Sequence, residues 1–209
     1  MLSKEGALQS RAAAEPDAVR RRRPNDLNNT QMANYILKET SEKGYGVFAA
    51  KDIKQGEHIF HVDLNGFKKY TLAELECAVE ENSELDGDHA NYVGRGKYVI
   101  EDTPASYMNH SCDPNCYFKM KSIAVYDVYA RRDIAEGEEL THDYTASSVD
   151  QFAGQGFWVL ECQCGSENCR GKVTGDFFEM PEEWQAKYYP YLPPSIKRKY
   201  KDRFQGLKK

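Results

Sequence analysis

The sequence predicts a mainly β fold with few helices, on three observations. Its apolar segments are short: Tyr45 to Ala50, His58 to Leu64, Lys97 to Ile100 and Ile123 to Ala130. Each has strand length, and His58 to Leu64 alternates as a strand should. Turn-formers separate them, in the polar region from Asn82 to Gly96 and at Ala135-Glu136-Gly137-Glu138, between Ile134 and Leu140. Helical signals are confined to three brief stretches.

The first of these runs from Thr71 to Asn82. Thr71 is an N-cap candidate with Glu74 three residues on, the pattern of a capping box. Leu72, Leu75 and Val79 then share one helical face. Pro181 to Tyr189 reads as a short helix with Pro181 in its first turn. Ser195 to Phe204 reads as a basic amphipathic helix, with Ile196, Tyr200 and Phe204 at a spacing of four. Between core and tail, from Cys162 onward, Cys, Gly and Ser dominate. Such a segment cannot fold by hydrophobic burial alone. The predicted organisation is a basic disordered N-terminal arm (1–30), a core (31–147), a cysteine segment (158–175) and a helical extension (176–209). No internal repeat is visible.

The 209 residues suffice for one substantial domain with appendages. A formal net charge of −5 argues against a general polyanion binder and suits a basic protein segment as partner. Locally, Arg20 to Arg23 before Pro24 fits a nuclear import signal, a nucleic-acid contact or a solvated tail. No apolar stretch has transmembrane length, and Met1 to Pro24 lacks the apolar run of a secretory signal. The expectation is a non-secreted chain that uses no membrane and keeps its cysteines reduced or metal-bound.

Cys162, Cys164 and Cys169 supply three thiols within eight residues, beside Gly165 and Gly171. A closed structural zinc site needs four ligands, so the fourth comes from elsewhere, with Cys112 and Cys116 as candidates. Free buried thiols or a redox pair are the alternative.

Four segments in order carry a resemblance. They are Lys43-Gly44-Tyr45-Gly46-Val47-Phe48-Ala49, Asn109-His110-Ser111-Cys112-Asp113-Pro114-Asn115-Cys116, Glu138-Glu139-Leu140-Thr141-His142-Asp143-Tyr144, and the Cys162, Cys164, Cys169 segment. Together they resemble the SET-domain protein lysine methyltransferases with a post-SET zinc segment, over roughly residues 40–173. The resemblance implies the SET fold: small curved sheets with a knot-like crossing, a zinc-bound loop and, here, C-terminal helices. It implies S-adenosyl-L-methionine (AdoMet) as cofactor, held by Gly44, Tyr45, Gly46, Asn109, His110 and Tyr144. It implies Tyr144 as the catalytic residue, and structural zinc on Cys112, Cys162, Cys164 and Cys169, leaving Cys116 as a packed thiol. Asp113, Pro114 and Asp143 hold the crossing together in this reading. Tyr107, Phe118 and His142 are candidates for the substrate channel. The implied partner is a protein with a lysine in an extended basic segment, such as a histone tail in the nucleus. A non-histone substrate, in the cytoplasm or elsewhere, and a catalytically silent interaction module are the rival readings.

Two departures from the family pattern stand out. His142 occupies a position usually held by Phe or Tyr, two before the catalytic tyrosine, which influences the number of methyl groups added. His61-Val62 falls where many members carry a Glu-Tyr pair, so Tyr92, Tyr98 or Phe118 is expected to supply the missing aromatic.

Overall fold

The computed structural model describes residues 34–40, 44–149 and 158–207. The arm at 1–30, its arginine run and Lys43 lie outside the described residues. In chain order the elements are β1 (Tyr35–Thr40), β2 (Gly44–Ala49), β3 (His58–Asp63), α1 (Leu72–Glu81), β4 (Ala90–Gly94), β5 (Lys97–Ile100), β6 (Asn109–His110), β7 (Cys116–Ser122), β8 (Val125–Ala130) and β9 (Thr141–His142). The rest are α2 (Tyr144–Ser147), β10 (Val159–Glu161), β11 (Lys172–Thr174), α3 (Glu182–Tyr188) and α4 (Pro194–Lys199).

The strands form small separate sheets, as a mainly β chain with short apolar runs should. Antiparallel pairs join β1 to β2, β4 to β5 and β10 to β11, and a three-stranded sheet runs β3-β8-β7. Within β3 the register shifts between His58 and Phe60, a bulge that lets both Ile59 and Phe60 face the core. The main core gathers Val47, Ile53, Val62, Leu64, Val99, Met108, Val128, Ile134 and Leu140, each essentially without exposure. The crossing implied by the sequence rests on β6 and β9, which pair in parallel with Asn109 opposite Thr141 and His110 opposite His142.

Asn115 locks this crossing. It is buried, its amide donates to the Glu139 carbonyl at 2.7 Å, and its side-chain oxygen accepts from the Thr141 N–H at 2.8 Å. A strand pair of two residues has little stability alone, so these side-chain bonds supply what the ladder lacks.

Thr71 and Glu74 form the expected capping box at the start of α1. Two expectations need correction. The stretch from Asn82 to Gly96 is not only a turn region: residues 90–94 form β4, whose polar Asn91 concealed the strand because its amide is satisfied inside the protein, at Glu101. Likewise the helix expected to reach Phe204 stops at Lys199, because Tyr200 leaves helical geometry. The chain then folds back, and the Phe204 ring packs 5.2 Å from that of Phe178. Ile196 and Phe204 are nevertheless both buried, in a second core with Phe177, Tyr188, Leu192 and Val149. The four-residue spacing thus marked residues of this core, Ile196 and Phe204 buried and Tyr200 half-buried against them, while packing ended the helix early.

Candidate active site

The start of β2 meets β6. Asn109 donates from Nδ2 to the Tyr45 carbonyl at 3.3 Å and to Glu139 Oε1 at 2.6 Å. Gly46 has a steric reason to be glycine here: a Cβ would come within 2.9 Å of Glu139 Oε1 and 3.2 Å of Asn109 Nδ2. Gly44 takes φ 70°, which favours glycine for a different reason, the left-handed backbone. Residues far apart in sequence thus form one wall.

Tyr144 opens α2, with Asp143 as its N-cap. Its hydroxyl donates to the Met108 carbonyl at 3.2 Å, and its backbone N–H donates to His110 Nδ1 at 3.2 Å. Burial, reinforced by the Glu139 charge, pushes the phenol up to about 12. At neutral pH it is therefore a protonated donor rather than a base.

Phe118 and His142 stand beside it. His142 stacks on Phe118, with ring centres 4.2 Å apart, and its own ring centre is 5.0 Å from that of Tyr144. Burial, with His110 nearby, pushes the imidazole down to about 3, so it is a neutral aromatic wall across the physiological range. The sign of the resulting pH dependence is fixed. Once unfolded, the ring titrates near ~6.5. Stability is therefore full above that pH and falls by about 1.4 kcal/mol per unit as acid drives the pH toward the folded value. His142→Phe should flatten this acid limb. Urea unfolding of both proteins between pH 4 and 7 tests it, and equal acid slopes would refute it.

Of the three expected substitutes for the missing aromatic, Tyr92 and Phe118 line a cavity together with His142. Tyr98 packs instead with Tyr70 and Leu75. His61 points to the outer face of β3 and bonds Asp127 at 2.7 Å, while Val62 is buried. Tyr107 is not among the residues lining that cavity; its ring stands edge-on to Tyr45 and His89.

The cysteine segment reaches this same centre. Ligand atoms of His110, Cys112, Cys162 and Cys164 all lie within 4.8 Å of one another. The Cys112 and Cys162 sulfurs are 3.7 Å apart, far beyond a disulfide bond. Backbone N–H groups of Cys112 and Arg170 point at the Cys164 and Cys112 sulfurs, at 3.5 and 3.4 Å. Such donors favour thiolates, and clustered thiolates suit a soft ion such as zinc. Cys169 sits at the edge of this group, its thiol 3.6 Å from the Cys162 carbonyl. Cys116 is buried apart, its thiol pushed up to about 12 by burial, which fits packing rather than ligation.

His110 has a definite part in this arrangement. Its Nδ1 accepts the Tyr144 N–H, so in the neutral ring the proton sits on Nε2, which lies 3.3 Å from Cys112 Sγ. An imidazole in that tautomer donates to a thiolate and has no lone pair at Nε2 for a metal.

Sequence reasoning missed Arg170 and Trp184. Asp143 is fully buried and receives both Arg170 terminal nitrogens, at 2.7 and 2.8 Å, and the Trp184 indole N–H at 3.1 Å. This fork ties the cysteine segment and α3 to the residue preceding Tyr144. Removing one partner of a buried pair leaves an uncompensated charge, a cost of about 3–5 kcal/mol. Arg170→Met should lose that much stability in urea unfolding, and Arg170→Met with Asp143→Asn should regain a good part. A double variant no better than the single one would show that the pair is not the cause.

Residues 44–145 match the family model described as the SET domain. This chain is a SET-domain protein. It is 30% identical over 156 residues to the yeast (Saccharomyces cerevisiae) "Histone-lysine N-methyltransferase, H3 lysine-36 specific", covering 69% of this chain and 20% of that protein. It is 32% identical over 179 residues to "Histone-lysine N-methyltransferase ATX2" of Arabidopsis thaliana, covering 72% of this chain and 15% of that one. A third relative, "Histone-lysine N-methyltransferase set-2" of Caenorhabditis elegans, is 31% identical over 159 residues, covering 71% and 10%. The chain thus spans a fifth or less of these three relatives. The methyltransferase domain of human "Histone-lysine N-methyltransferase SETMAR" overlays 72% of this chain and 61% of that one, with TM-score 0.48 and 18% identity. The SET match ends next to Tyr144, so the cysteine segment, Arg170 and Trp184 lie beyond it in sequence while contacting the SET domain in space.

Proposed function

We propose that the chain is an AdoMet-dependent protein lysine N-methyltransferase acting on a histone tail. The observation that carries this reading is the Tyr144 hydroxyl, protonated, half-buried and held against the Met108 carbonyl between the Asn109-His110 strand and the ring-lined cavity. The convergence of Tyr45 and Gly46 on Asn109, with Gly44 beside them in the chain, supports a cofactor site there, completed by His110 and Tyr144. Bound AdoMet supplies an electrophilic methyl group on a sulfonium.

The protein's own groups account for the rest. A target lysine is a nucleophile only as the neutral amine, and its pKa in water is ~10.4. Burial among Phe118, His142 and Tyr144 disfavours the charged form and lowers that value. Tyr144, its proton committed to the Met108 carbonyl, accepts the amine N–H and so orients the lone pair, and much of the rate comes from alignment. Tyr107 is the proposed outer contact of the channel.

Zinc is assigned to Cys112, Cys162, Cys164 and Cys169. Support comes from the clustered thiols, and from the His110 tautomer, which favours Cys169 over His110 as fourth ligand. The domain limits proposed are 31–147 for the SET domain, 158–175 for the zinc segment and 176–209 for the helical extension. Similarity to histone-lysine methyltransferases supports a nuclear, chromatin-bound substrate. Among the described residues no helix is long and apolar enough to cross a membrane.

The test is incubation with methyl-labelled AdoMet and a panel of purified histones, alongside cell extract. Label on a histone supports the full reading. Label only on other extract proteins moves the substrate but keeps the chemistry. Cofactor binding with no labelled protein makes the chain an interaction module.

A further inference from the structure

Glu101 belongs to no motif, yet it is one of the most deeply buried charged residues described, at 2% exposure. It follows β5 with the same inward parity as Val99. Three neutral donors serve its carboxylate: Asn91 Nδ2 at 2.6 Å, the Tyr126 hydroxyl at 3.2 Å and the Thr103 hydroxyl. None of the ion pairs among the described residues includes it. Burial alone is enough to push this carboxyl up to about 7. An uncompensated buried charge is costly to a fold, and such groups collect where a ligand completes them.

A ligand space adjoins it. A cavity of about 60 Å³ is lined by Glu101, Asn91, Tyr92, Phe118, Tyr126 and His142, among others. One water needs roughly 10–15 Å³ of such space, so the cavity accommodates more than a single solvent molecule. Its aromatic wall is continuous: Phe118 stacks on Tyr126 at 4.7 Å and on His142 at 4.2 Å, and His142 leads to Tyr144 at 5.0 Å. Carboxylate at one end and ring faces along the side match an alkylammonium, whose charge needs an anion and whose stem needs an apolar surface. Above about pH 7 Glu101 is mostly ionised and met only by neutral donors, so a cation is the guest that brings it a counter-charge.

We infer that this cavity binds an alkylammonium group and that Glu101 is the anion that recognises it. Assigning that group to the target lysine rests on the methyltransferase reading above; the binding itself does not. Glu101 then selects the charged side chain as it enters, and the ring wall carries it toward Tyr144. Histidine in place of a bulkier ring at position 142 leaves this path wider.

The Asn91 side-chain amide is a built-in reporter, because it donates to Glu101. Titrating the full chain with n-butylammonium and, separately, n-butanol at pH 8, and following that amide by NMR, tests the inference. The ammonium should bind about tenfold tighter than the alcohol, as expected of a charge-assisted bond. Glu101→Gln should abolish the preference, and Glu101→Asp, which keeps the charge, should retain part of it. Equal binding of the two probes by the wild-type protein overturns the inference even if Glu101→Gln fails to fold. A clear ammonium preference with no protein labelled from AdoMet supports Glu101 as the cation site and sinks the methyltransferase reading. Labelled histone with no ammonium preference does the reverse. If both hold, Glu101→Gln should raise the histone KM about tenfold with a smaller change in kcat.

Discussion

Tyr144→Phe keeps the ring that completes the cofactor site and lowers methyl transfer at saturating AdoMet by about 10²–10⁴-fold, the range for losing one positioned proton-bearing group. The substitution deletes a single hydroxyl. Its hydrogen bond to the Met108 carbonyl is worth on the order of 1 kcal/mol of stability, so the fold survives. The ring remains, and with it the packing against His110 and His142. What disappears is the oxygen that, with its proton given to the Met108 carbonyl, accepts from the reacting amine and aims its lone pair. Because the phenol is held up to about 12, no loss of activity from Tyr144 ionisation is expected between pH 7 and 9. The measurement is single-turnover label transfer by both proteins at saturating cofactor. A variant within threefold of wild type would remove Tyr144 from the chemistry.

The second large effect is metal removal. The purified protein is expected to carry about one equivalent of zinc, and Cys164→Ser or a strong chelator should strip it and abolish transfer. A structural zinc contributes on the order of 10 kcal/mol of apparent folding energy in small domains. Besides the metal the segment is held by the Arg170–Asp143 fork and by buried Val173; its strands β10 and β11 are only three residues each, and Val159 and Leu160 are exposed. Loss of the metal therefore frees the whole segment. Arg170 then loosens from Asp143, and Cys112 loses Cys162, Cys164 and the Arg170 N–H. Two readouts separate this from simple misfolding. Limited proteolysis should cut the stripped protein first between residues 158 and 175, and the far-ultraviolet signal of the SET core should persist. Metal-free protein that keeps full activity would overturn the zinc assignment.

Motif residues were legible because their chemistry is local. A capping box is complete within four residues, and Thr71 and Glu74 announced α1 unaided. The same holds for the strand-length runs that became β2, β3 and β5, and for the parity that buried Ile196 and Phe204. Glu101 carried a fainter local signal, an acidic residue two positions beyond inward-facing Val99. Read alone, that is indistinguishable from a charge ending a strand.

Arg170 gave no such signal. Its meaning depends on Asp143, 27 residues away, and on Trp184 from a later helix. By itself the sequence determined the short-strand architecture, the SET motifs and the three-thiol cluster, because composition, spacing and order suffice for these. Only the tertiary structure decided that His110 sits between the Tyr144 N–H and the Cys112 sulfur, that Arg170 anchors the tail at Asp143, and that Glu101 faces a ring-lined cavity without a counter-charge. The physical reason is common to all three. A titratable group's role depends on which atoms face it and on how much water they exclude, and both are set by strand register and packing between segments distant in the chain.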